Sequence, residues 1–333
     1  SDENRLQIRA YIDEIYDRFL SEISDSRNIP TSELQKLIDD WDASSDHLSA
    51  EHGLIDGVAY QDEVIDKMRE ILGFGPKDKI KTTTPEKYFL AHPPKKNRKI
   101  KDKIAVLYAE GGFIGGGESP GAIAEEHYVR MIRSLRREKN LKAIVLRVNS
   151  GGGNVITSEN IWRELQLAKT RDSIPLVVSM GGVAASAAYM ISVAGDSIFA
   201  EETTLTGSIG VFGMQPTIQE MLNNKLGIAF DTVLTGQLAA AFSPFQSFTE
   251  KERQIIQASV DETYEAFLQK VAEGRGMTVE EIHEIAQGRV WTGPKAREIG
   301  LVDRIGNLDN AIRSAATLAG IDTYRIVEYP VTR

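Results

Sequence analysis

The feature that most constrains the fold of this chain is a short apolar strand that leads through a glycine pair into a run of small residues, over 176–190. Val177 and Val178 are typical of a buried strand, and Gly181-Gly182 allow a sharp backbone turn. The alanines that follow have almost no bulk, so another backbone can approach them closely. We interpret Ser186, the hydroxyl among these alanines, as a nucleophile. A serine in a buried helix commonly bonds back to a carbonyl one turn earlier, and this stretch alone leaves that alternative open.

Two more glycine-rich turns follow short predicted strands. Residues 144–153 form a buried strand that ends in three glycines, and residues 203–210 form a polar turn after a strand near 197–200. Parallel α/β sheets place their sites at the carboxyl ends of strands. Unhindered backbone N–H groups at such an end can hold the oxyanion of a tetrahedral intermediate. The three turns therefore favour a nucleophilic serine that faces glycine amides.

Strands and helices alternate around these turns, which predicts a parallel sheet of the α/β class. We predict strands over 104–110, 143–148, 175–180 and 228–234, and helices over 122–138, 157–169, 217–226 and 249–273.

The order and spacing of the motifs resemble signal peptide peptidase A, the protease IV family, from about Ile104 onward. The motifs are Arg147-Val-Asn-Ser-Gly-Gly-Gly153, Ser179-Met-Gly-Gly-Val-Ala-Ala-Ser-Ala-Ala-Tyr189, Leu205-Thr-Gly-Ser-Ile-Gly-Val-Phe-Gly213, Gln287-Gly-Arg-Val-Trp-Thr-Gly293 and Gly300-Leu-Val-Asp303. The resemblance implies a ClpP/crotonase-like spiral of βα units. It also implies a serine protease of the Ser/Lys dyad type, without a cofactor, that degrades cleaved signal peptides and other short hydrophobic peptides.

The resemblance also implies roles for single residues. Ser186 matches the nucleophile, and Ser208 matches the hydroxyl that orients the lysine. Gly152 or Gly153, together with the N–H of Ala187, match the oxyanion hole.

The residues themselves leave the general base open. A serine hydroxyl needs a base near neutral pH. None of the five histidines lies inside the three turns, but a Ser-His-Asp triad stays open because its members meet only in the fold. We interpret His127 as a surface residue. A desolvated lysine is the alternative base.

The resemblance places that lysine outside this chain. In the single-repeat form of the family the lysine shortly precedes a Ser-Pro step, and the corresponding position here is Ala239. The double-repeat form divides the dyad between its repeats, which implies a lysine upstream of Ser1. We therefore expect residues 1–333 to be inactive, or nearly so, by themselves. Lys225 and Lys251 are the lysines nearest in sequence to the turn over 235–244, and we do not expect either to substitute for the missing base.

An internal repeat supports the double-repeat form. Tyr16 aligns with Tyr264 at a constant shift of 264 − 16 = 248, together with Arg5, Asp13, Glu14, Phe19, Leu20 and Arg27, each on an identical residue. We therefore predict that residues 1–75 are the helical C-terminal tail of a first, incomplete repeat. Residues 76–103 are predicted to be a basic linker rich in Pro and Lys, and residues 104–333 the ClpP/crotonase-like catalytic repeat.

Composition excludes several classes of protein. The net charge of −9 argues against nucleic-acid binding, and the lack of cysteine excludes disulfides and thiolate chemistry. Neither a signal peptide nor a stretch of roughly 18 apolar residues occurs. Together with the resemblance, this leads us to expect a bacterial inner-membrane protein whose N-terminal anchor is missing here and whose catalytic part is periplasmic. We also expect a homo-oligomer, such as a tetramer, and association with the N-terminal repeat.

Two other functions remain open at this point. A crotonase-like acyl-CoA enzyme would share the spiral fold and the oxyanion hole, but it would need a carboxylate at the site and no reactive serine. A non-catalytic assembly module would use the glycine turns for packing only. Labelling of Ser186 by an acylating probe separates these alternatives from a protease.

Overall fold

The computed structural model describes residues 1–92, 99–236 and 238–330. The chain divides into two compact units, residues 1–98 and 99–333. The predicted linker includes a helix over 85–91, and the basic run 93–98 lies outside the described residues. No helix in the described part of the chain combines the length and the apolar character that crossing a bilayer requires.

The first unit is helical. A small core forms where Leu20, Ile29 and Leu34 pack together with Tyr16 and Leu54 at its edge. The helices are α1 (Asp2–Arg27), α2 (Thr31–Asp39), α3 (Asp46–Glu51), α4 (Gln61–Leu72) and α5 (Pro85–Ala91).

The second unit is built on a sheet that runs in the order β10-β1-β4-β5-β6-β9, with β7 paired to β5 and β8 paired to β7. Its strands, together with a separate parallel pair of β2 and β3, are β1 (Lys103–Glu110), β2 (Gly112–Ile114), β3 (Ala122–Ala124), β4 (Leu141–Ser150), β5 (Leu176–Ala185), β6 (Ser197–Ala200), β7 (Leu205–Gly207), β8 (Val290–Thr292), β9 (Arg304–Ile305) and β10 (Arg325–Tyr329). Of the described strand pairs, β7 with β8 is the antiparallel one. The predicted α/β class is therefore confirmed.

Helices cover both faces of this sheet, which explains why its central strands are almost continuously apolar. The helices are α6 (Glu125–Arg136), α7 (Val155–Thr170), α8 (Ala187–Ser192), α9 (Gln219–Met221), which continues into a π-helical turn (Leu222–Leu226), α10 (Glu250–Arg275), α11 (Val279–Ile285), α12 (Gly293–Glu298) and α13 (Leu308–Leu318). On one face α13 packs against β4 and β5, and the larger core on the other face includes residues of α6, α7, α8 and α10. Ile144, Val145 and Leu146 are fully buried between these layers.

Strand β5 corrects one local prediction. The backbone does not turn at Gly181-Gly182, because β5 continues through both glycines to Ala185 and pairs there with β7. The glycine pair is needed for close approach, since a Cβ on Gly181 would lie 3.2 Å from three side-chain atoms of Asn149. The turn comes at Ser186, and the helix begins at Ala187.

Two further predictions were wrong in detail. The strand predicted over 228–234 is not formed; Val233 is 98% exposed, and the segment is paired with no described strand. The helix predicted over 122–138 begins only at Glu125, because Ala122–Ala124 pair with β2 as a short parallel strand.

Candidate active site

Ser186 lies at the junction between the end of β5 and the start of α8. Its backbone has φ 55° and ψ −121°, a conformation that side-chain-bearing residues rarely adopt and that costs about 1–3 kcal/mol. Hydrogen bonds on both sides maintain it: the Ser186 N–H donates to Gly207 O at 2.9 Å, and Ser186 O accepts from Met190 N at 2.9 Å. Strain of this kind is typical of functional sites.

The Ser186 hydroxyl is partly exposed, and Oγ is hydrogen-bonded to no described residue. The structural alternative, a helix serine bonded to a carbonyl one turn earlier, is instead found at Ser192. Its Oγ donates to Ala188 O at 2.7 Å, and the side chain is fully buried. The two serines of this segment therefore differ in what their hydroxyls can do, and that of Ser186 is available for chemistry.

Gly152 packs directly against the nucleophile candidate. A Cβ on this glycine would lie 2.9 Å from Ser186 Cβ and 3.1 Å from Ala187 N, and its φ of +108° is also unfavourable for any residue with a side chain. The Gly152 N–H donates to Ser150 Oγ at 3.1 Å and so already has an acceptor. Gly152 therefore supplies the space beside Ser186.

Gly153 and Ala187 supply the available amides. The bonds from Phe113 N to Gly152 O (3.0 Å) and from Asn154 N to Phe113 O (2.9 Å) fix the backbone on either side of Gly153. Neither the Gly153 N–H nor the Ala187 N–H donates to any acceptor in the described part of the chain. Both residues line the same cavity as Ser186. Of the two glycines that the sequence left open, the geometry favours Gly153 as an oxyanion donor.

Ser208 lies in the third glycine-rich turn, directly after the residue that accepts the Ser186 N–H. Its φ is 48°, its N–H donates to Arg289 O at 2.7 Å, and its side chain is partly exposed. Thr206 Oγ1 donates to Ala184 O at 2.7 Å and so ties this turn to the end of β5. The structure thus brings the Ser208 turn beside Ser186.

Ala239 is not brought to this site. It lies exposed in a turn where its N–H donates to Gly236 O at 3.1 Å, and it is not among the residues that line the Ser186 cavity.

Two residues that no sequence motif pointed to, Lys270 and Glu159, line the cavity together with Ser186. Their side chains form an ion pair, with Lys270 Nζ 3.0 Å from Glu159 Oε2. The signal that could have identified Lys270 is the spacing of Thr263, Phe267 and Lys270, which share one face of α10 and all line the cavity. Lys270 lies far from Ser186 in the sequence, so no local motif connects the two residues.

No histidine lines the cavity among the described residues. The Nδ1 atom of His127 lies 3.5 Å from Glu118, and that of His283 lies 3.1 Å from the Tyr264 hydroxyl. Nor do the described residues contain a group of three or more side chains arranged to bind a metal. The carboxylate that an acyl-CoA enzyme would need is represented in the cavity by Glu159, which is paired with Lys270.

A buried polar network supports the short helix that begins at the site. Tyr189 is fully buried, its hydroxyl donates to Leu301 O at 2.8 Å, and burial raises the pKa of that phenol. Nearby, Arg275 binds both carboxylate oxygens of Asp303, at 2.6 and 3.1 Å, and the Ile198 N–H donates to the same carboxylate at 2.7 Å. Burial raises the pKa of Asp303, but Arg275 and this amide outweigh burial and hold the pKa below its ordinary value of 3.8.

Arg147, the first residue of one sequence motif, joins three segments beneath the site. Its guanidinium donates to Ser179 Oγ at 2.9 Å, to Met180 O at 2.8 Å and to Glu201 at 3.1 Å. It therefore holds β4, β5 and the turn before β7 in register.

Comparison with protein families gives two matches. The model for peptidase family S49 matches residues 1–74 and 168–322, and the model for Clp protease matches residues 95–204. The first match covers more than half of the chain. The second agrees with the ClpP-like fold that the family resemblance implied.

The chain is also similar to several curated proteins. It is 35% identical over 327 residues to Protease 4 of Salmonella typhi, covering 96% of this chain and 52% of that protein. It is 34% identical over 330 residues to the chloroplastic serine protease SPPA of Arabidopsis thaliana, covering 96% and 48%. Protease 4 of Haemophilus influenzae is 30% identical over 328 residues, with 96% and 52% covered. The chain thus spans about half the length of these curated relatives.

Proposed function

Because this chain belongs to peptidase family S49, we propose that it hydrolyses peptide bonds with Ser186 as the nucleophile. The observation that carries the proposal is the strained backbone of Ser186, which presents an unbonded hydroxyl between the Gly152 backbone and the first amide of α8. A residue without a special role would not be expected to keep a conformation that costs about 1–3 kcal/mol.

The reaction follows from these positions. Ser186 Oγ attacks the scissile carbonyl while its proton passes to a general base, and the carbonyl oxygen becomes an oxyanion. The N–H groups of Gly153 and Ala187 donate to that oxyanion. Collapse of the tetrahedral intermediate breaks the C–N bond, and the base returns its proton to the leaving amine. Water then hydrolyses the acyl-enzyme by the same route. A single oxyanion donor is typically worth about 10²–10³ in kcat.

We propose a lysine as the base, oriented by the Ser208 hydroxyl and contributed by a part of the protein outside residues 1–333. Two observations support this. The matched relatives are about twice as long as the chain. In addition, the lysine that does line the cavity, Lys270, has its Nζ atom in an ion pair with Glu159 Oε2 at 3.0 Å, so it already has another partner.

We further propose short hydrophobic peptides, including cleaved signal peptides, as the substrates. Apolar side chains in the cavity support this, among them Val155, Met190, Val211 and Phe267. A location at the bacterial inner membrane with the catalytic part in the periplasm, and assembly into a homo-oligomer such as a tetramer, complete the proposal. Both rest on the family resemblance.

Labelling with a fluorophosphonate, followed by intact-mass and peptide analysis, tests the nucleophile. In the full-length protein we expect one adduct, at Ser186, and its loss in Ser186→Ala together with peptidase activity. Ser192→Ala is the matched control and should keep the adduct, because that hydroxyl is buried against Ala188 O. Residues 1–333 alone should label weakly.

Three results would refute the proposal. Full activity of Ser186→Ala would exclude the nucleophile. Turnover of an acyl-CoA thioester that survives Ser186→Ala would favour the crotonase-like alternative. Unlabelled full-length protein without any peptidase activity would favour an assembly module.

A further inference from the structure

We propose that Glu159 and Lys270 determine the charge specificity of the cavity beside Ser186. Because their opposite charges are paired, the cavity selects substrates whose side chain on the acyl side of the cleaved bond is uncharged. The inference rests on the proposed peptidase function, and it concerns two residues that the mechanism above does not use. They are the charged residues among those that line the cavity in the described part of the chain.

The acyl side is assigned from what shares the cavity. Gly153, Ser186 and Ala187 line it, so the nucleophile and both proposed oxyanion donors share this cavity. The carbonyl under attack must lie between Ser186 Oγ and these amides. In the proposed binding mode, the side chain next to that carbonyl on its acyl side enters the remaining space. The wall formed by Met190, Val211 and Phe267 suits an apolar group.

The ion pair is built between two helices. Lys270 comes from α10 and Glu159 from α7, with Nζ 3.0 Å from Oε2. The Lys270 side chain is 16% exposed, and Nζ also lies 5.0 Å from the centroid of the Trp162 ring, a cation–π distance. The Glu159 side chain is 43% exposed. The carboxylate and the ring therefore hold the ammonium in one place.

Such a pair is neutral as a unit, but each half excludes one kind of substrate. A substrate carboxylate would have to compete with Glu159 for the ammonium, and a substrate ammonium would have to compete with Lys270 for the carboxylate. The Lys270 side chain is only 16% exposed, so this competition is screened less by water than it would be between two fully exposed charges. Removal of one partner leaves the other uncompensated, which would turn the exclusion into attraction.

The test uses the full-length protein and three fluorogenic peptides that differ only in the acyl-side residue, which is Leu, Glu or Lys. The wild type should prefer Leu. In Glu159→Gln, the kcat/KM for the Glu peptide relative to that for the Leu peptide should rise at least tenfold. The kcat/KM for the Lys peptide relative to that for the Leu peptide should stay unchanged or fall. Lys270→Met should do the reverse. Glu298→Gln, which breaks the exposed pair with Lys295 on α12 (2.6 Å), is the matched control and should change neither ratio.

A swapped pair separates specificity from a merely structural role. Glu159→Lys combined with Lys270→Glu restores a neutral pair, and both ratios should return to within about threefold of the wild type. This variant also keeps the inference testable if a single variant proves unstable in thermal unfolding.

Several outcomes would overturn the inference while the peptidase proposal stands. One is a pair of single variants whose ratios stay within threefold of the wild type. Another is a wild type that prefers a charged peptide. A third is Lys270→Met that unfolds normally but cleaves no peptide, since Lys270 would then act in the chemistry. If the wild type cleaves none of the peptides, the proposed function falls, and this inference falls with it.

Discussion

Gly152→Ala tests the central geometric claim, which is that Ser186 is positioned by the absence of a side chain at residue 152. The new Cβ would lie 2.9 Å from Ser186 Cβ, whereas ordinary contact begins at 3.4 Å, so one of the two backbones must move by at least 3.4 − 2.9 = 0.5 Å. The same Cβ would lie 3.1 Å from Ala187 N, a proposed oxyanion donor. Displacement therefore acts on the nucleophile and the oxyanion donor together.

Gly152→Ala should affect both the rate of catalysis and the stability of the fold, and the two effects are measured separately. Misplacement of reacting groups by about 1 Å costs on the order of 100-fold in rate, so kcat should fall roughly 30- to 100-fold with little change in KM. The φ of +108° adds a backbone cost of about 1–3 kcal/mol. In a domain of this size, each kcal/mol lowers the unfolding midpoint by about 2–4 °C.

The assay pairs steady-state peptide hydrolysis by the full-length protein with thermal unfolding. Gly151→Ala is the matched control, because the neighbouring glycine has no atom within 4 Å of the position of its Cβ and no positive φ. It should keep wild-type kcat within about twofold. Wild-type kcat in Gly152→Ala would refute the reasoning, since Ser186 would then not depend on contact with the 152 backbone.

Three further predictions follow from the same contacts. Gly153→Ala should abolish activity and lower the unfolding midpoint, because its Cβ would lie 2.5 Å from Phe113 O; a soluble, fully active variant would contradict this. Tyr189→Phe should cost about 1–2 kcal/mol in urea unfolding, because it removes the bond to Leu301 O and leaves that carbonyl unpaired; an unchanged urea midpoint would contradict it. Asp303 has a lowered pKa in the folded state, so its contribution is present above the unfolded value near 3.8 and is lost as pH falls through the folded pKa. Asp303→Asn should therefore be less stable than wild type at pH 7, with a gap that narrows below about pH 4 in denaturant titrations; a gap independent of pH would refute it.

Much of the site could be predicted because parallel strands carry their glycine-rich ends to the same edge of the sheet. Strands β4 and β5 are neighbours, and β7 pairs with the end of β5 through Val183 with Leu205 and Ala185 with Gly207. Once the strands are assigned, the three turns that follow them have to meet. The close contact of Gly152 with the backbone of Ser186 and Ala187 is also visible in the sequence, because two backbones can approach closely only where the residues on both are small.

The wrong predictions have a common physical cause, which is that a local pattern can serve two purposes. A glycine pair permits a turn, but at Gly181 it allows the side chain of Asn149 to lie against a strand that continues. The apolar residues of 228–234 have the composition of a strand, but a strand needs a partner for its backbone groups, and the described residues provide none. Composition specifies what a segment can do, and the neighbours that the fold supplies determine which possibility is realised.

Lys270 could not be identified as a residue of the site from its position in the sequence. Lys225 and Lys251 are the lysines nearest in sequence to the turn over 235–244, whereas the fold packs α10 against α8 and places Lys270 in the cavity with Ser186. Sharing a cavity with Ser186 is still not sufficient for a base, since Lys270 Nζ is already held in an ion pair, 3.0 Å from Glu159 Oε2. The same contact that argues against Lys270 as a base makes it suited to reading the charge of a substrate. The Glu159–Lys270 ion pair therefore supports both proposals, a lysine base from outside residues 1–333 and a role for Lys270 in substrate specificity. Lys270→Met in the full-length protein tests them together. Loss of all activity would indicate that Lys270 takes part in the chemistry, whereas retained activity with changed specificity would support both proposals.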